Sequence, residues 1–193
     1  MVKKREDPIE VSTYQSGMLH FAVGVSDSGK IVRITLPCET EEEVLAEISR
    51  EHPDFEVTDD HVDLAKTVSD AYHGKKVKFN LNALELGFSS EVEDSTSECL
   101  PVTSSFERRV LLEVSKIPFG EVTTYKKISE SLGTRGYRAV GTAIGKNPFP
   151  IIIPCHRVVK SDGHIGNYRG GVRMKREILK NEGIEIRDDR III

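Results

Sequence analysis

Cys155, His156 and Arg157 stand side by side in the run Ile151-Ile152-Ile153-Pro154-Cys155-His156-Arg157-Val158-Val159. That order brings together a nucleophile, a base and a cation. A free thiol titrates near 8.5 and is only a few per cent thiolate at neutral pH, and a neighbouring cation or hydrogen-bonded imidazole raises that fraction. A shift of about 2 units requires only ~2.7 kcal/mol of preferential stabilisation of the anion. Three β-branched isoleucines favour an extended, buried run, while Pro154 removes a backbone donor and keeps Ile153 extended. Cys155 is therefore expected at the mouth of a strand, on restricted backbone, as a nucleophile. The plainer alternative is a small buried hydrophobe, and the Cys-His pair alone does not separate the two. Cys38, followed by Glu39, Glu41, Glu42 and Glu43, and Cys99, which follows Glu98, lie in acidic surroundings that disfavour a thiolate.

The flanking elements have to position such a cysteine. Met18 to Val25 and Lys30 to Leu36 read as two strands of a hairpin turned by Ser26-Asp27-Ser28-Gly29. Residues 1 to 17 read as polar, and as loosely held at the very end. Thr40 with Glu43 is a capping-box signature, followed by a helix with Val44, Leu45 and Ile48 on one face. A second helix is expected from Asp59 or Asp60 to Gly74, and a further strand over Val77 to Leu81. His52, His61 and His73 read as solvated helix residues. From Gly87 to Ser105 the composition shifts to Ser, Thr, Glu and Asp, which predicts a linker.

Beyond it, Ser105 begins a helix expected to run through Ile117. Thr124 to Leu132 and Tyr137 to Lys146 read as two short helices around the turn Gly133 to Gly136, a helix-turn-helix candidate. The second is nearly bare, with Ala139, Gly141, Thr142, Ala143 and Gly145, and is flanked by Arg135, Arg138 and Lys146. Each interior glycine costs about 1 kcal/mol against alanine, so the bareness implies close approach, either to another packed element or to a phosphate backbone. Asn167 to Gly171 can fold back over Cys155. A last helix spans Val172 to Glu182 with Gly183 as its stop. Glu182 in the final turn is disfavoured by the helix dipole, and His156 is its natural partner. The C-terminal Arg190-Ile191-Ile192-Ile193 is read either as a strand or as disordered.

The 193 residues carry three cysteines without a CxxC pair, which argues against a disulfide framework or a cysteine-type zinc site. No run approaches the ~20 apolar residues of a membrane span, and the N-terminus lacks a signal-peptide core. The expectation is a soluble, cytoplasmic protein, or a nuclear one in a eukaryote. The formal charge of −4 divides unevenly: residues 1 to 100 hold 10 Lys+Arg against 21 Asp+Glu, and residues 101 to 193 hold 17 against 10. A basic half beside an acidic one suggests nucleic-acid contact by the basic half.

With these segments placed, the sequence resembles the O6-alkylguanine-DNA alkyltransferases. The resemblance rests on GEVTTY at 120–125, RAVGTAIGKNP at 138–148, IPCHRVV at 153–159 and GNYRGG at 166–171, and covers Phe106 to Gly183 continuously. It implies an α+β chain: a small N-terminal domain of antiparallel sheet and helices over 1–100 ending in the acidic linker, then a mostly helical DNA-binding and alkyl-acceptor domain over 101–193. It implies a single-turnover methyltransferase that moves an alkyl group irreversibly from O6 of guanine in duplex DNA to Cys155, flipping the base from the minor groove. His156, held by Glu182, would draw off the thiol proton through a water. Tyr168 would hydrogen-bond the guanine edge, Asn147 would brace the pocket turn, and Val158, Val159 and Arg169 would help to hold the base. Tyr125 would turn the 3′ phosphate, Arg138 would fill the vacated stack, and Ala139, Gly141 and Lys146 would face the DNA. No cofactor, metal or membrane is implied, and the protein would act as a monomer. Two rivals are a lesion-binding module without transfer chemistry, against which the presence of Cys155 counts, and a Cys-His hydrolase, for which an adjacent histidine is poorly placed to touch the sulfur.

Overall fold

The computed structural model describes residues 8–86 and 105–191, with only the backbone of Ser105. The linker expected over 87–105, its domain boundary and Cys99 therefore lie outside the described residues or at their edge. The N-terminal unit is a four-stranded sheet of order β3-β2-β1-β4, made of β1 (Ile9–Ser16), β2 (Leu19–Val25), β3 (Ile31–Ile34) and β4 (Phe55–Val57). The expected hairpin is β2–β3, antiparallel and irregular at Gly24/Val25. Helix α1 (Glu41–Ser49) starts with the Thr40–Glu43 capping box formed in both directions, and α2 (Val62–Tyr72) buries Ala65, Val68 and Tyr72 as its spacing predicts.

Three expectations fail in this half. Residues 9–16, read as polar chain without an element, form β1 inside the sheet, paired with β2 on one side and, in parallel, with β4 on the other, while the very end lies outside the described residues. The polarity of β1 is deceptive because Ser12 is buried, donating to the Thr58 carbonyl at 2.7 Å and accepting from the His61 amide at 3.0 Å. No strand forms over 77–81; Asn80 instead caps a short 3-10 turn at Leu81–Ala83 by accepting from the Asn82 amide. His61 is half-buried rather than simply solvated, its Nε2 2.8 Å from Glu10, whereas His73 is exposed as expected while its ring rests against Phe21 and Tyr72.

The second half is mostly helical. It contains α3 (Ser105–Val114), β5 (Thr123–Thr124), α4 (Tyr125–Ser131), α5 (Tyr137–Gly145), β6 (Val158–Val159), α6 (Gly171–Asn181) and a terminal hairpin of β7 (Ile186–Arg187) and β8 (Arg190–Ile191). Thr124 caps α4 by accepting from the Lys127 amide at 3.1 Å. Strands β5 and β6 form a two-residue parallel ladder, Thr123 with Val158 and Thr124 with Val159. One apolar core crosses both halves, running from Phe21, Ile34 and Tyr72 through Val110, Leu111 and Val140 to Ile153 and Cys155. Among the described residues no helix is long and apolar enough to cross a membrane.

The halves approach closely where α2 ends against the C-terminal end of α6. Gly74, at φ +85°, approaches so closely that a Cβ there would lie 2.1 Å from the Asn181 carbonyl oxygen, and Asn181 Nδ2 donates to the Tyr72 carbonyl at 2.9 Å. Gly74→Ala combines a left-handed-region penalty with a backbone clash and should cost ~3 kcal/mol or more. Gly29→Ala, at φ +73° with nothing within 4 Å, should cost only ~1–2 kcal/mol. Urea denaturation of the two variants measures the difference.

Candidate active site

The run Ile151–Ile153 is a turn, not the expected strand. Ile151 sits at φ +73°, a costly conformation for a β-branched residue. The turn is held from inside: Asn147 Nδ2 donates to the Ile153 carbonyl at 2.9 Å, and its Oδ1 accepts from the Phe149 amide at 3.0 Å. Pro148 and Pro150 cannot donate to a ladder, so a side-chain brace replaces strand pairing. Ile151 and Ile153 remain buried, which explains why their composition mimics a strand. Cys155 to Arg157 then form a 3-10 turn that leads into β6.

Cys155 is 7% exposed and lines a cavity of about 360 Å³. Tyr125 and Gly141 enter this cavity from the helix pair, Asn147 and Pro150 from the turn, Tyr168 and Arg169 from the returning loop. Burial pushes the Cys155 thiol up, outweighing the lowering effects of Asn147, Arg169, Lys175 and Tyr168. The local activation expected from sequence is therefore corrected: the resting sulfur is held as a thiol. The adjacent Arg157 is engaged elsewhere, donating from Nε and Nη2 to the two Glu182 oxygens at 2.8 and 2.7 Å and from Nη1 to the Ile117 carbonyl at 2.7 Å.

Behind the cysteine, His156 is fully buried and its Nε2 lies 3.0 Å from Glu182 Oε1. Burial holds the imidazole below its ordinary value, despite Glu182. Neutral His156 with its proton on Nε2 satisfies the carboxylate and leaves Nδ1 as an acceptor. Nδ1 of His156 and the hydroxyl of Tyr168 are buried without a hydrogen-bond partner, as is Arg33 Nε. Glu182 is shielded by burial, which opposes ionisation, yet its bonds to His156 and Arg157 win and bring it to about 2. Lys175, absent from the sequence-based site, is buried and donates to the Val158 carbonyl at 2.6 Å; burial lowers it to about 8. Its only sequence signal is a lysine at a position where α6 turns its apolar face inward, with Ile178 and Leu179.

The remaining expected residues divide. Val158 and Val159 are buried in β6, Val158 through its carbonyl to Lys175. Arg169 donates to the Asn147 carbonyl at 3.4 Å. Arg138 and Ala139 are exposed on α5, outside the cavity lining, and Gly141 lies close under the Tyr125 ring. Lys146 is paired with Glu107 at 2.6 Å. Leu36, Ile144, Gly145 and Asn167 also line the cavity; Leu36 could not be found from sequence, because it arrives from the other half of the chain.

A methylated-DNA–protein-cysteine methyltransferase from Metallosphaera sedula is 37% identical over 159 residues, 82% of this chain and 84% of that protein. The chain belongs to the methylated-DNA–protein-cysteine methyltransferase family. A family model described as 6-O-methylguanine DNA methyltransferase, DNA binding domain, matches residues 105–184. Identity rises to 54% with the methyltransferase of Saccharolobus solfataricus, over 84 residues that make up 44% of this chain and 54% of that one. With that of Methanothermobacter thermautotrophicus it is 39% over 113 residues, 58% of this chain and 56% of that one. The chain thus aligns with about half the length of these two methyltransferases. The crystal structure of the O6-methylguanine-DNA methyltransferase from Pyrococcus kodakaraensis superposes with a TM-score of 0.66 at 27% identity, covering 91% of this chain and 99% of that one. The α+β fold, with its sheet in the N-terminal part and helices in the C-terminal part, is that of the methyltransferase family.

Glu182 gives this methyltransferase-family site a pH signature. Its folded value of about 2 lies below the ordinary 4.5, so its stabilisation is complete above pH 4.5 and is lost as pH falls through about 2. The shift corresponds to about 3 kcal/mol. Glu182→Gln should be less stable than the parent by about that amount at pH 7, with the gap narrowing toward pH 2.5. Denaturant titrations at a series of pH values check the convergence.

Proposed function

We propose that the protein repairs DNA by moving an alkyl group from O6 of guanine in duplex DNA to Cys155, once per chain. The observation that carries this reading is the cavity, lined from the helix pair α4–α5 by Tyr125 and Gly141, in which a buried thiol meets an unpaired tyrosine hydroxyl, with the buried His156–Glu182 pair next to the cysteine in the chain. In this reading residues 101–193 form the DNA-binding and acceptor part. The exposed Arg138 and Ala139 face the duplex on its minor-groove side, and the target base is flipped into the cavity at a cost of a few kcal/mol.

The chemistry is a displacement at an sp³ carbon. Nδ1 of His156 takes the thiol proton, through a water where the two do not touch, and the His156–Glu182 pair stabilises the imidazolium. The Cys155 sulfur forms its bond to the alkyl carbon as the carbon–O6 bond breaks, and the electron pair passes into the purine. The Tyr168 hydroxyl donates to the departing base, lowering the barrier where negative charge develops. Guanine regains a proton, and the thioether on Cys155, inert to water, ends the protein's working life. Because the resting thiol is raised by burial, transfer depends on His156 rather than on a standing thiolate. His156→Ala should therefore slow transfer ~10²-fold or more.

Incubation with methylated duplex or O6-benzylguanine should add one alkyl group per chain, mapped by peptide mass spectrometry to Cys155. Cys155→Ala should abolish transfer and retain DNA binding. Arg138→Ala should slow repair of duplex while leaving reaction with free benzylguanine nearly intact, since the free base needs no extrusion. Adducts spread over Cys38 and Cys99, or thiol regenerated with time, would refute the reading. Duplex affinity should fall steeply with salt as phosphate contacts release counterions.

A further inference from the structure

We infer that Glu47, on α1 of the N-terminal sheet unit, is a positioning residue for the loop that closes the Cys155 cavity; this rests on the transfer reading above. Its Oε1 is shared by two guanidinium groups: Arg33 Nη2 at 3.1 Å and Arg169 Nη2 at 3.4 Å. Arg33 is buried on β3, its side chain 6% exposed, and its Nη1 donates to Glu51 at 2.7 Å. Glu47 is thus anchored to a rigid strand on one side and holds Arg169 on the other. An isolated exposed pair contributes little, but here one partner is buried and the carboxylate is already fixed.

Arg169 lines the cavity, donates to the Asn147 carbonyl and lowers the Cys155 thiol against the effect of burial. Two further contacts tie the same region to the sheet unit. The Ile34 amide of β3 donates to the Pro148 carbonyl at 2.9 Å. At Gly170 a Cβ would lie 3.1 Å from Leu36 Cδ1 and 2.3 Å from Met174 Sδ, so the loop backbone is pressed onto the N-terminal unit. The sheet unit therefore sets where Arg169 sits relative to the sulfur, and Glu47 is the charged link in that contact. The ionisable groups that act on the sulfur are Tyr125, Tyr168, Arg169 and Lys175; Glu47 acts on it through Arg169.

The test compares Glu47→Gln, Arg169→Gln, their combination and Glu51→Gln, which removes the other partner of Arg33 and leaves Arg169 untouched. Two readouts are followed on full-length protein: the rate of benzyl transfer from free O6-benzylguanine, and the pH midpoint of Cys155 alkylation by iodoacetamide. Glu47→Gln should slow transfer ~10-fold and move the midpoint upward, Arg169→Gln should do the same, and the double variant should add little to either. Glu51→Gln should leave both readouts at the parental values even where it lowers the melting temperature. Equal effects of Glu47→Gln and Glu51→Gln, additive losses in the double variant, or an unmoved midpoint in Glu47→Gln would each overturn the positioning role. A parent protein that does not react with benzylguanine would overturn the transfer reading instead, while the iodoacetamide midpoints would still decide the role of Glu47.

Discussion

A single buried carboxylate, Glu182, fixes the relation between the last long helix and the cysteine turn. It accepts from Arg157 through both oxygens and meets His156 through one. Burying such a charge is expensive unless every lone pair is engaged, and here three nitrogens engage it. Removing the helix end would leave His156 without its acceptor and Arg157 with only the Ile117 carbonyl, and removing the turn would leave the carboxylate unpaired. The two elements therefore stand or fall together. The position at the C-terminal end of α6, which the helix dipole disfavours for an anion, is made favourable by the neighbouring guanidinium.

The same economy appears around the sulfur. Lys175 is buried and directs its ammonium onto the Val158 carbonyl, so β6 is held from below while Asn147 holds the preceding turn from within. Cys155 is thereby carried on backbone braced by side chains rather than by a sheet. The resulting environment keeps the thiol protonated at rest, which suits the acceptor role proposed for it.

Much of this was legible in the sequence where signals were local. The Thr40–Glu43 box, the Thr124 cap, the apolar stripe of α2 and the stops at Gly74 and Gly183 depend on residues within a turn of one another. The pairing of His156 with Glu182 could be anticipated because an unfavourable helix-end charge demanded a partner. The failures come from distant contacts or from side-chain braces that leave no periodic pattern. Ser12 makes β1 look like an exposed tail, since its acceptor, Thr58, lies far along the chain. Ile151 to Ile153 imitate a strand because burial and strand propensity select the same residues, whereas the Asn147 brace that bends them leaves no periodic trace. Leu36 and Glu47 reach the cavity loop only through the packing of the two halves.

The ladder between β5 and β6 has only two rungs, yet it joins the cap of α4 to the residues just beyond the cysteine. The chain between them, which includes both helices of the turn motif and the braced turn, is consequently a loop pinned at its two ends. The helix pair and the cysteine turn thus form one closed circuit of chain fastened at a single clasp, Thr123 and Thr124 against Val158 and Val159.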